Sequence, residues 1–227
     1  MNFNRKNKVS VYPTLEFLDE IGVSQTRVIR TTPAPRWEQN AAGQSFSITE
    51  YYDESLVIIE NYLAKPRKMR MIFWQFATFD PVGKHYWLRS DTCNCDGYRE
   101  TFPLCRGNRG MIAVAANGDV FPCMQMSGWF EARNENFGNV KETGLAPILR
   151  SGKWIDEVTA TVGDLLKVND ECRTCPHLKK CRTGCRALAI LTGGGLRASD
   201  KTKCAFFGGG YEQKATELFK YFGYHAI

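Results

Sequence analysis

The residues of this sequence that could do chemistry are its cysteines, which number nine. The tightest spacing is Cys172-x2-Cys175-x5-Cys181-x3-Cys185, which Cys105 and Cys123 precede and Cys204 follows. Thiolates bind iron or zinc at about 2.3 Å, so four of them need short loops that can wrap around an inorganic centre. The segment CRTCPHLKKCRTGC at 172–185 has the composition of such a loop. The spacing predicts metal binding, and we interpret it as two iron–sulfur clusters.

Structural zinc is the main alternative to clusters. The four cysteines of the segment 172–185 could form a tetrahedral all-thiolate site by themselves. Such a site would leave Cys105 and Cys123 without a role, and for that reason we favour clusters. Disulfides are disfavoured, because 227 residues with an odd number of cysteines do not resemble a small secreted scaffold. No paired general acid and base or serine–histidine–carboxylate set indicates hydrolysis.

The composition is that of a globular protein, with 43% apolar residues and a formal net charge of +6. The basic clusters at Lys65–Arg70 and Lys179–Arg182 are interpreted as solvated surface, so no nucleic-acid partner is predicted. The sequence has no run of about 18–20 apolar residues, and its start lacks the apolar core of a signal peptide. We therefore predict a cytoplasmic protein without a membrane partner.

Residues 1–90 have the periodicity of a parallel α/β layer. The predicted elements are a helix that Gly22 closes, a strand at 26–31, a loop with Pro33, Pro35 and Gly43, a helix at 49–64 and a strand at 68–79. Ser47 and Glu50 form a capping box before the second helix. Two strands with helices do not complete a parallel sheet, so we expect this part to be a piece of a larger layer.

Residues 91–227 have a different texture, with cysteines, glycines and short elements, and a domain boundary is predicted near residue 90. An apolar run followed by the Asn117-Gly118 turn predicts a β-hairpin whose exit delivers Cys123. Short helices are predicted at 145–150, 154–158 and from 185 to 191, and an amphipathic C-terminal helix at 211–222.

These residues resemble the SPASM domain, the twin-cluster extension of many radical S-adenosylmethionine enzymes. The match runs through Cys105, GDVFPC at 118–123, FGNVKE at 137–142 and the later cysteines. NFNRKN at 2–7 and LDEIGV at 18–23 resemble the end of the family's barrel. The implied fold class is α/β, with the C-terminal portion of a partial (β/α) barrel at 1–90. A small cysteine-rich α+β SPASM domain with a β-hairpin and short helices then occupies 91–227.

The resemblance also implies how the cysteines divide between two auxiliary [4Fe–4S] clusters. Cys105, Cys123 and Cys185 would bind the first cluster, and the second would be bound by Cys172, Cys175, Cys181 and Cys204. The fourth ligand of the first cluster would come from Cys95 or Cys93, and Cys95 is preferred. One run of cysteines also serves two clusters in two-cluster ferredoxins.

The family's barrel carries a C-x3-C-x2-C loop, which is absent from this sequence. The resemblance therefore implies that the chain is the C-terminal part of a longer oxidoreductase and is inactive alone. In the full-length enzyme a third [4Fe–4S] cluster would reduce S-adenosylmethionine to a 5′-deoxyadenosyl radical. The implied partners are a peptide or protein substrate and a reductant such as flavodoxin or ferredoxin.

Two further hypotheses from other classes of protein stay open. One is a stand-alone iron–sulfur module that transfers electrons or binds a partner. The other is a zinc-stabilised interaction domain.

Overall fold

The computed structural model of this chain describes residues 1–88, 99–105 and 111–227. The predicted boundary at residue 90 and the predicted ligands Cys93 and Cys95 lie outside the described residues. The described chain forms two compact units. The first unit contains Met1–Pro33, the residues from Asn40 to 88 and Ala205–Ile227, and the second contains Ala34–Gln39 and the described residues from 99 to Cys204.

The elements up to residue 88 alternate between helices and strands. In chain order they are β1 (Asn2–Phe3), α1 (Lys8–Glu20), β2 (Gln25–Arg30), α2 (Pro35–Ala41), α3 (Ile48–Leu63), β3 (Arg70–Phe73), β4 (Ala77–Asp80) and β5 (His85–Leu88).

The elements after residue 111 are mostly short helices. They are β6 (Ala113–Val114), β7 (Val120–Phe121), α4 (Met124–Glu131), α5 (Val140–Thr143), α6 (Leu145–Leu149), α7 (Gly152–Val158), α8 (Val162–Leu166), α9 (Asp170–Arg173), α10 (Leu178–Cys181), α11 (Arg186–Gly193), α12 (Lys201–Gly208), α13 (Tyr211–Tyr221) and β8 (His225–Ala226).

The first unit is a mixed α/β layer. Its sheet has the strand order β1-β2-β3-β4-β5-β8. The pairs β1–β2, β2–β3 and β5–β8 are parallel, whereas β3–β4 and β4–β5 are antiparallel. The predicted α/β layer is thus confirmed in part, because β2 and β3 pair in parallel as expected. β1, β5 and β8 were not predicted, and the sheet continues through β4 and β5 as a meander.

Two predicted elements of the first 90 residues were wrong. The single strand predicted at 68–79 is a hairpin of β3 and β4, whose turn places the non-glycine residue Gln75 at a φ of 65°. The predicted loop through Pro35 contains the helix α2, which begins at that proline. Proline suits the first helical position, because its fixed φ is helical and no donor is needed there.

The capping box predicted from Ser47 and Glu50 is confirmed at the start of α3. The Glu50 N–H donates to Ser47 Oγ at 3.2 Å, and the Ser47 N–H donates to Glu50 Oε2 at 2.7 Å. Gly22 follows α1 with a φ of 84°, a left-handed conformation that favours glycine. The start of α3 and the end of α1 are therefore each determined by residues close to them in the sequence.

Aromatic side chains fill the core of the first unit. Phe79 on β4 is fully buried and packs its ring 5.3 Å from that of Phe219 on α13. Phe219 also stacks on Tyr86 of β5 with ring centroids 4.6 Å apart. The C-terminal helix thus contributes to the core beneath the sheet.

The second unit has two separate hydrophobic clusters. One contains Phe121, Phe130, Phe137 and Trp154, with the partly buried Cys123 and Cys185 packed against it. The other is built around Leu104, Leu165 and Leu166, with Cys172 packed against it. Cys123, Cys172 and Cys185 thus lie at the edges of small apolar clusters.

Candidate metal centre

The seven described cysteines are free thiols, and all of them are partly exposed. Most lie at the ends of helices or between helices. Cys123 and Cys185 are the N-cap residues of α4 and α11, Cys172 lies in α9, Cys181 ends α10, Cys204 lies in α12, and Cys175 and Cys105 lie in loops. The cysteines of the segment 172–185 are thus separated by short helices and turns rather than by long loops.

The hairpin that delivers Cys123 is held by a polar network. Asp119 Oδ1 accepts hydrogen bonds from Asn136 Nδ2 at 2.8 Å and from Asn139 Nδ2 at 3.0 Å. Gly118 has a φ of 100°, and a Cβ there would lie 2.5 Å from Asn139 Oδ1. The motifs GDVFPC and FGNVKE therefore hold each other in place. Cys123 Sγ then accepts the Gln125 N–H at 3.3 Å.

Asn169 connects the first cysteine of the tight segment to the chain near residue 199. Its Oδ1 accepts the Cys172 N–H at 2.9 Å, and its Nδ2 donates to Arg197 O at 2.9 Å. Cys172 Sγ lies 3.6 Å from Ser199 Oγ. The N-cap of α9 thus holds Cys172 beside the segment that leads to Cys204.

The turn between Cys181 and Cys185 is left-handed at three consecutive residues. Arg182, Thr183 and Gly184 have φ values of 52°, 68° and 77°. A Cβ on Gly184 would lie 2.4 Å from Asp200 Oδ2. Left-handed non-glycine residues cost free energy, so such a run persists only where surrounding contacts hold it.

Asp200 provides such contacts. Its Oδ2 accepts the Cys185 N–H at 2.8 Å, and its Oδ1 accepts the Thr202 N–H at 2.9 Å. The side chain is buried. One carboxylate therefore fixes the backbone at Cys185 and at the start of the helix that carries Cys204.

Three of the predicted ligands of the second cluster influence one another electrostatically. Burial raises the pKa of the Cys181 thiol to about 12, Lys203 opposes this rise, and Cys204 and Cys172 add to it. Burial also raises the pKa of the Cys204 thiol to about 11, and Cys172 contributes there as well. The raised pKa values of Cys181 and Cys204 mean that a metal binding these two as thiolates must displace their protons.

Within 1–88, 99–105 and 111–227, no three His, Cys, Asp or Glu side chains are grouped so that they could hold one metal ion. Ligands of an iron–sulfur cubane bind four separate iron atoms and need not converge on a single point.

Two buried cations fit the charge of such centres. Thiolate ligands bring several negative charges into a partly buried region, where an uncompensated charge is costly. Arg186 and Lys203 are only 1% and 5% exposed. Arg186 interacts electrostatically with Cys185, Cys172 and Cys105, and Lys203 acts on Cys181. The Nε of Arg186 is a buried donor with no partner among the described residues. The residues present therefore fit iron–sulfur clusters.

Our sequence analysis missed Arg186 and Lys203 as functional candidates. The sequence feature that points to a buried role for Arg186 is its position directly after Cys185 and before the apolar residues ALAIL of α11. Charged side chains are seldom fully buried unless they are paired, so an arginine at the start of this buried helix is expected to have a partner near the predicted ligand Cys185.

The chain combines two kinds of structure, an α/β layer and a cysteine-rich region of short helices. Residues 105–176 match the family model of SPASM, an iron-sulfur cluster-binding domain. This match and the structural likeness described next confirm the predicted resemblance to radical S-adenosylmethionine enzymes with a SPASM domain.

The whole fold is similar to solved structures of anSMEcpe. The structure described as native anSMEcpe with bound AdoMet has 15% sequence identity and a TM-score of 0.57, and the match covers 98% of this chain and 56% of that chain. The one with bound AdoMet and Cp18Cys peptide has 16% identity and a TM-score of 0.56, with the same coverage. This chain thus spans about half the length of the structures it matches.

A search of curated proteins found no match. Among the described residues, no helix combines the length and apolar character that crossing a membrane requires.

Proposed function

We propose that this chain is the C-terminal part of a radical S-adenosylmethionine enzyme that modifies a side chain of a peptide or protein. Residues 91–227 would bind two auxiliary [4Fe–4S] clusters. The observation that carries the proposal is the grouping of thiols within and beside the SPASM match. Cys172, Cys181 and Cys204 influence one another, and the buried Arg186 interacts with Cys185, Cys172 and Cys105.

The proposed division of ligands is the one that the family resemblance implies. Cys105, Cys123, Cys185 and Cys95 would bind the first cluster, with Cys93 as the alternative to Cys95. The second cluster would be bound by Cys172, Cys175, Cys181 and Cys204. Cys123 and Cys185 pack against the same hydrophobic cluster, which supports their assignment to one centre.

A [4Fe–4S] cluster bound here would supply one-electron transfer or a site for substrate. The protein's own residues hold the ligands and limit water. Asp200 fixes the backbone of Cys185, and Asn169 fixes that of Cys172. Phe121 and Ile190 are buried in the hydrophobic cluster against which Cys185 packs. Exclusion of water by such apolar residues would affect the reduction potential of the bound [4Fe–4S] cluster.

The proposed substrate and partners rest on the likeness to anSMEcpe. Two of its structures are described with bound AdoMet and a Cys peptide, Cp18Cys or Kp18Cys. S-adenosylmethionine, a third cluster and electron delivery by flavodoxin or ferredoxin would operate in the full-length enzyme. A peptide substrate is therefore the part of the proposal that needs the whole enzyme for its test.

The cluster assignment is tested by metal analysis of the anaerobically purified chain. We expect about eight iron and eight sulfide per chain, and a brown protein. Cys105→Ser and Cys204→Ser should each remove about half of the iron, because each affects a different cluster. Cys93→Ser is the matched control and should retain the iron, whereas Cys95→Ser should lose about half.

A colourless protein with about one zinc would refute the two clusters. Loss of all iron from Cys204→Ser alone would refute the division of ligands. The enzyme part is tested by reading the gene upstream of Met1. An in-frame C-x3-C-x2-C supports it, and the full-length protein should then form 5′-deoxyadenosine with S-adenosylmethionine, reductant and Cp18Cys peptide.

A further inference from the structure

Arg186 is buried in a way that a structural arginine rarely is. It is 1% exposed and is the first residue of α11, directly after Cys185. An arginine side chain keeps its positive charge in proteins, and a buried charge needs compensation. The buried guanidinium of Arg186 therefore requires a negative group nearby.

The terminal nitrogens of Arg186 are occupied by backbone carbonyls. Nη1 donates to Leu196 O at 2.9 Å and to Ala198 O at 2.8 Å, and Nη2 donates to Thr183 O. These bonds fix the plane of the guanidinium but bring no full negative charge. Nε–H has no hydrogen-bond partner in the described part of the chain, although it is fully shielded from water.

Among the described residues, one carboxylate and three cysteines have the largest electrostatic influence on Arg186. Burial lowers the pKa of Arg186, and Asp200, Cys185, Cys172 and Cys105 oppose this, in that order of strength. The oxygens of Asp200 accept the N–H groups of Cys185, Thr202 and Lys203. Cys185 and Cys105 are proposed ligands of the first cluster, and Cys172 is a proposed ligand of the second.

We propose that Arg186 is a positioning residue that donates its Nε–H to a sulfur of the first cluster and raises the reduction potential of that cluster. The inference rests on the proposed function, since it needs the clusters. A hydrogen bond to sulfur and a nearby fixed positive charge both favour the reduced, more negative form. In the buried surroundings the charge is poorly screened, so its influence extends through Cys172 to the second cluster.

Lysine could not replace arginine here. The planar guanidinium satisfies three carbonyls with its terminal nitrogens and still presents Nε–H in a fixed direction. A lysine ammonium has three donors, so it cannot serve the three carbonyls and the sulfur together. Arg186→Lys would keep the positive charge and lose the fixed Nε–H donor. This variant therefore separates the effect of the charge on the reduction potential from the effect of the hydrogen bond.

The test is a redox titration of the reconstituted chain, followed by electron paramagnetic resonance. At the potential that half-reduces the first cluster of the wild type, Arg186→Gln should show about a tenfold lower ratio of reduced to oxidised cluster. That ratio corresponds to a downward shift of 59 mV for a one-electron couple. The second cluster should shift less in the same direction, and Arg186→Lys should lie between wild type and Arg186→Gln.

The matched control is Arg150→Gln, which removes an exposed charge and should leave both potentials unchanged. Unchanged potentials in Arg186→Gln at full iron content would overturn the inference while the proposed function stands. A wild-type chain that binds no iron would instead refute the proposed function.

A second measurement needs no variant. Wild-type protein labelled with ¹⁵N-arginine should show a nitrogen hyperfine coupling to the reduced first cluster in pulsed resonance spectra. Absence of an arginine coupling from a fully loaded sample would overturn the inference even if Arg186→Gln failed to fold.

Discussion

The two units differ in what they bury. In the first unit, the buried polar or charged side chains within the described residues are Arg30 and Ser55. In the second unit such residues cluster in the chain between Cys181 and Cys204; they are Thr183, Arg186, Ser199, Asp200, Thr202 and Lys203. A polar interior is costly unless its groups are paired. The first unit therefore depends almost wholly on apolar packing, whereas the second combines its hydrophobic clusters with a set of buried polar and charged groups.

The helices of the two units differ in the same direction. α1 and α3 of the first unit have 13 and 16 residues, whereas α5, α9 and α10 of the second have four each. Helices of one turn do not stabilise themselves in water. Side-chain caps such as Asn139 and Asn169 help, and binding of metal to the cysteines would supply further stabilisation.

If the chain binds iron as proposed, removal of the iron should have the largest effect, and this effect should differ between the two units. A chelator added to the reduced, anaerobic protein should abolish the protection of backbone amides against hydrogen exchange in 111–204. Protection in β2–β5 and α13 should persist, because aromatic packing holds these elements. The measurement is hydrogen exchange with mass spectrometry before and after chelation, and unchanged protection of α9–α11 would contradict it.

Phe79→Ala should produce the next largest effect, confined to the first unit. This side chain is fully buried and packs on Phe73, Tyr62, Phe219 and Tyr224, so its loss should lower the free energy of unfolding by about 3–5 kcal/mol. Urea unfolding measures the loss, with the exposed Val82→Ala as control. The iron content should not change; a fall in iron content at native conditions would show that the two units are not independent.

The smallest expected effect concerns Glu16 on α1. Hydrogen bonds from Lys65, Arg67 and Tyr12 lower the pKa of this carboxyl to about 2. A pKa lower in the folded than in the unfolded state means stabilisation above about pH 4.5 that disappears as the pH falls towards 2.

Glu16→Gln should therefore lower Tm at pH 7 by no more than about 2–4 °C, since Glu16 is partly exposed and its partner Lys65 is largely exposed. The difference from wild type should shrink between about pH 4.5 and 2. Thermal unfolding across this range checks it, with the exposed Glu20→Gln as the control on the same helix. A difference that stays constant with pH would assign the effect to packing.

The sequence predicted features that depend on neighbours in the chain. The capping box at Ser47 and the turn at Asn117-Gly118 follow from residue types at fixed offsets, and both are present. The hairpin of β3 and β4 was missed because Gln75 is not a residue that marks a turn, although it takes a positive φ. The surrounding sheet, rather than local preference, forces that conformation.

The same distinction applies to the site. The spacing of the cysteines indicated metal chemistry, because metal ligands can be identified from their residue type and their spacing along the chain. The role of Arg186 could not be predicted, since its carbonyl partners at Leu196 and Ala198 lie ten and twelve residues away along the chain. Which charges share an interior is decided by tertiary packing.

The pairing of β8 with β5 has a consequence for engineering. β8 pairs in parallel with His85 and Tyr86, and Phe219 of α13 lies in the core beneath the sheet. A deletion of everything after residue 88 would therefore strip the sheet of its edge strand as well as the cysteines. To obtain the sheet alone, one should excise the intervening segment and rejoin β5 to α13 through a designed linker.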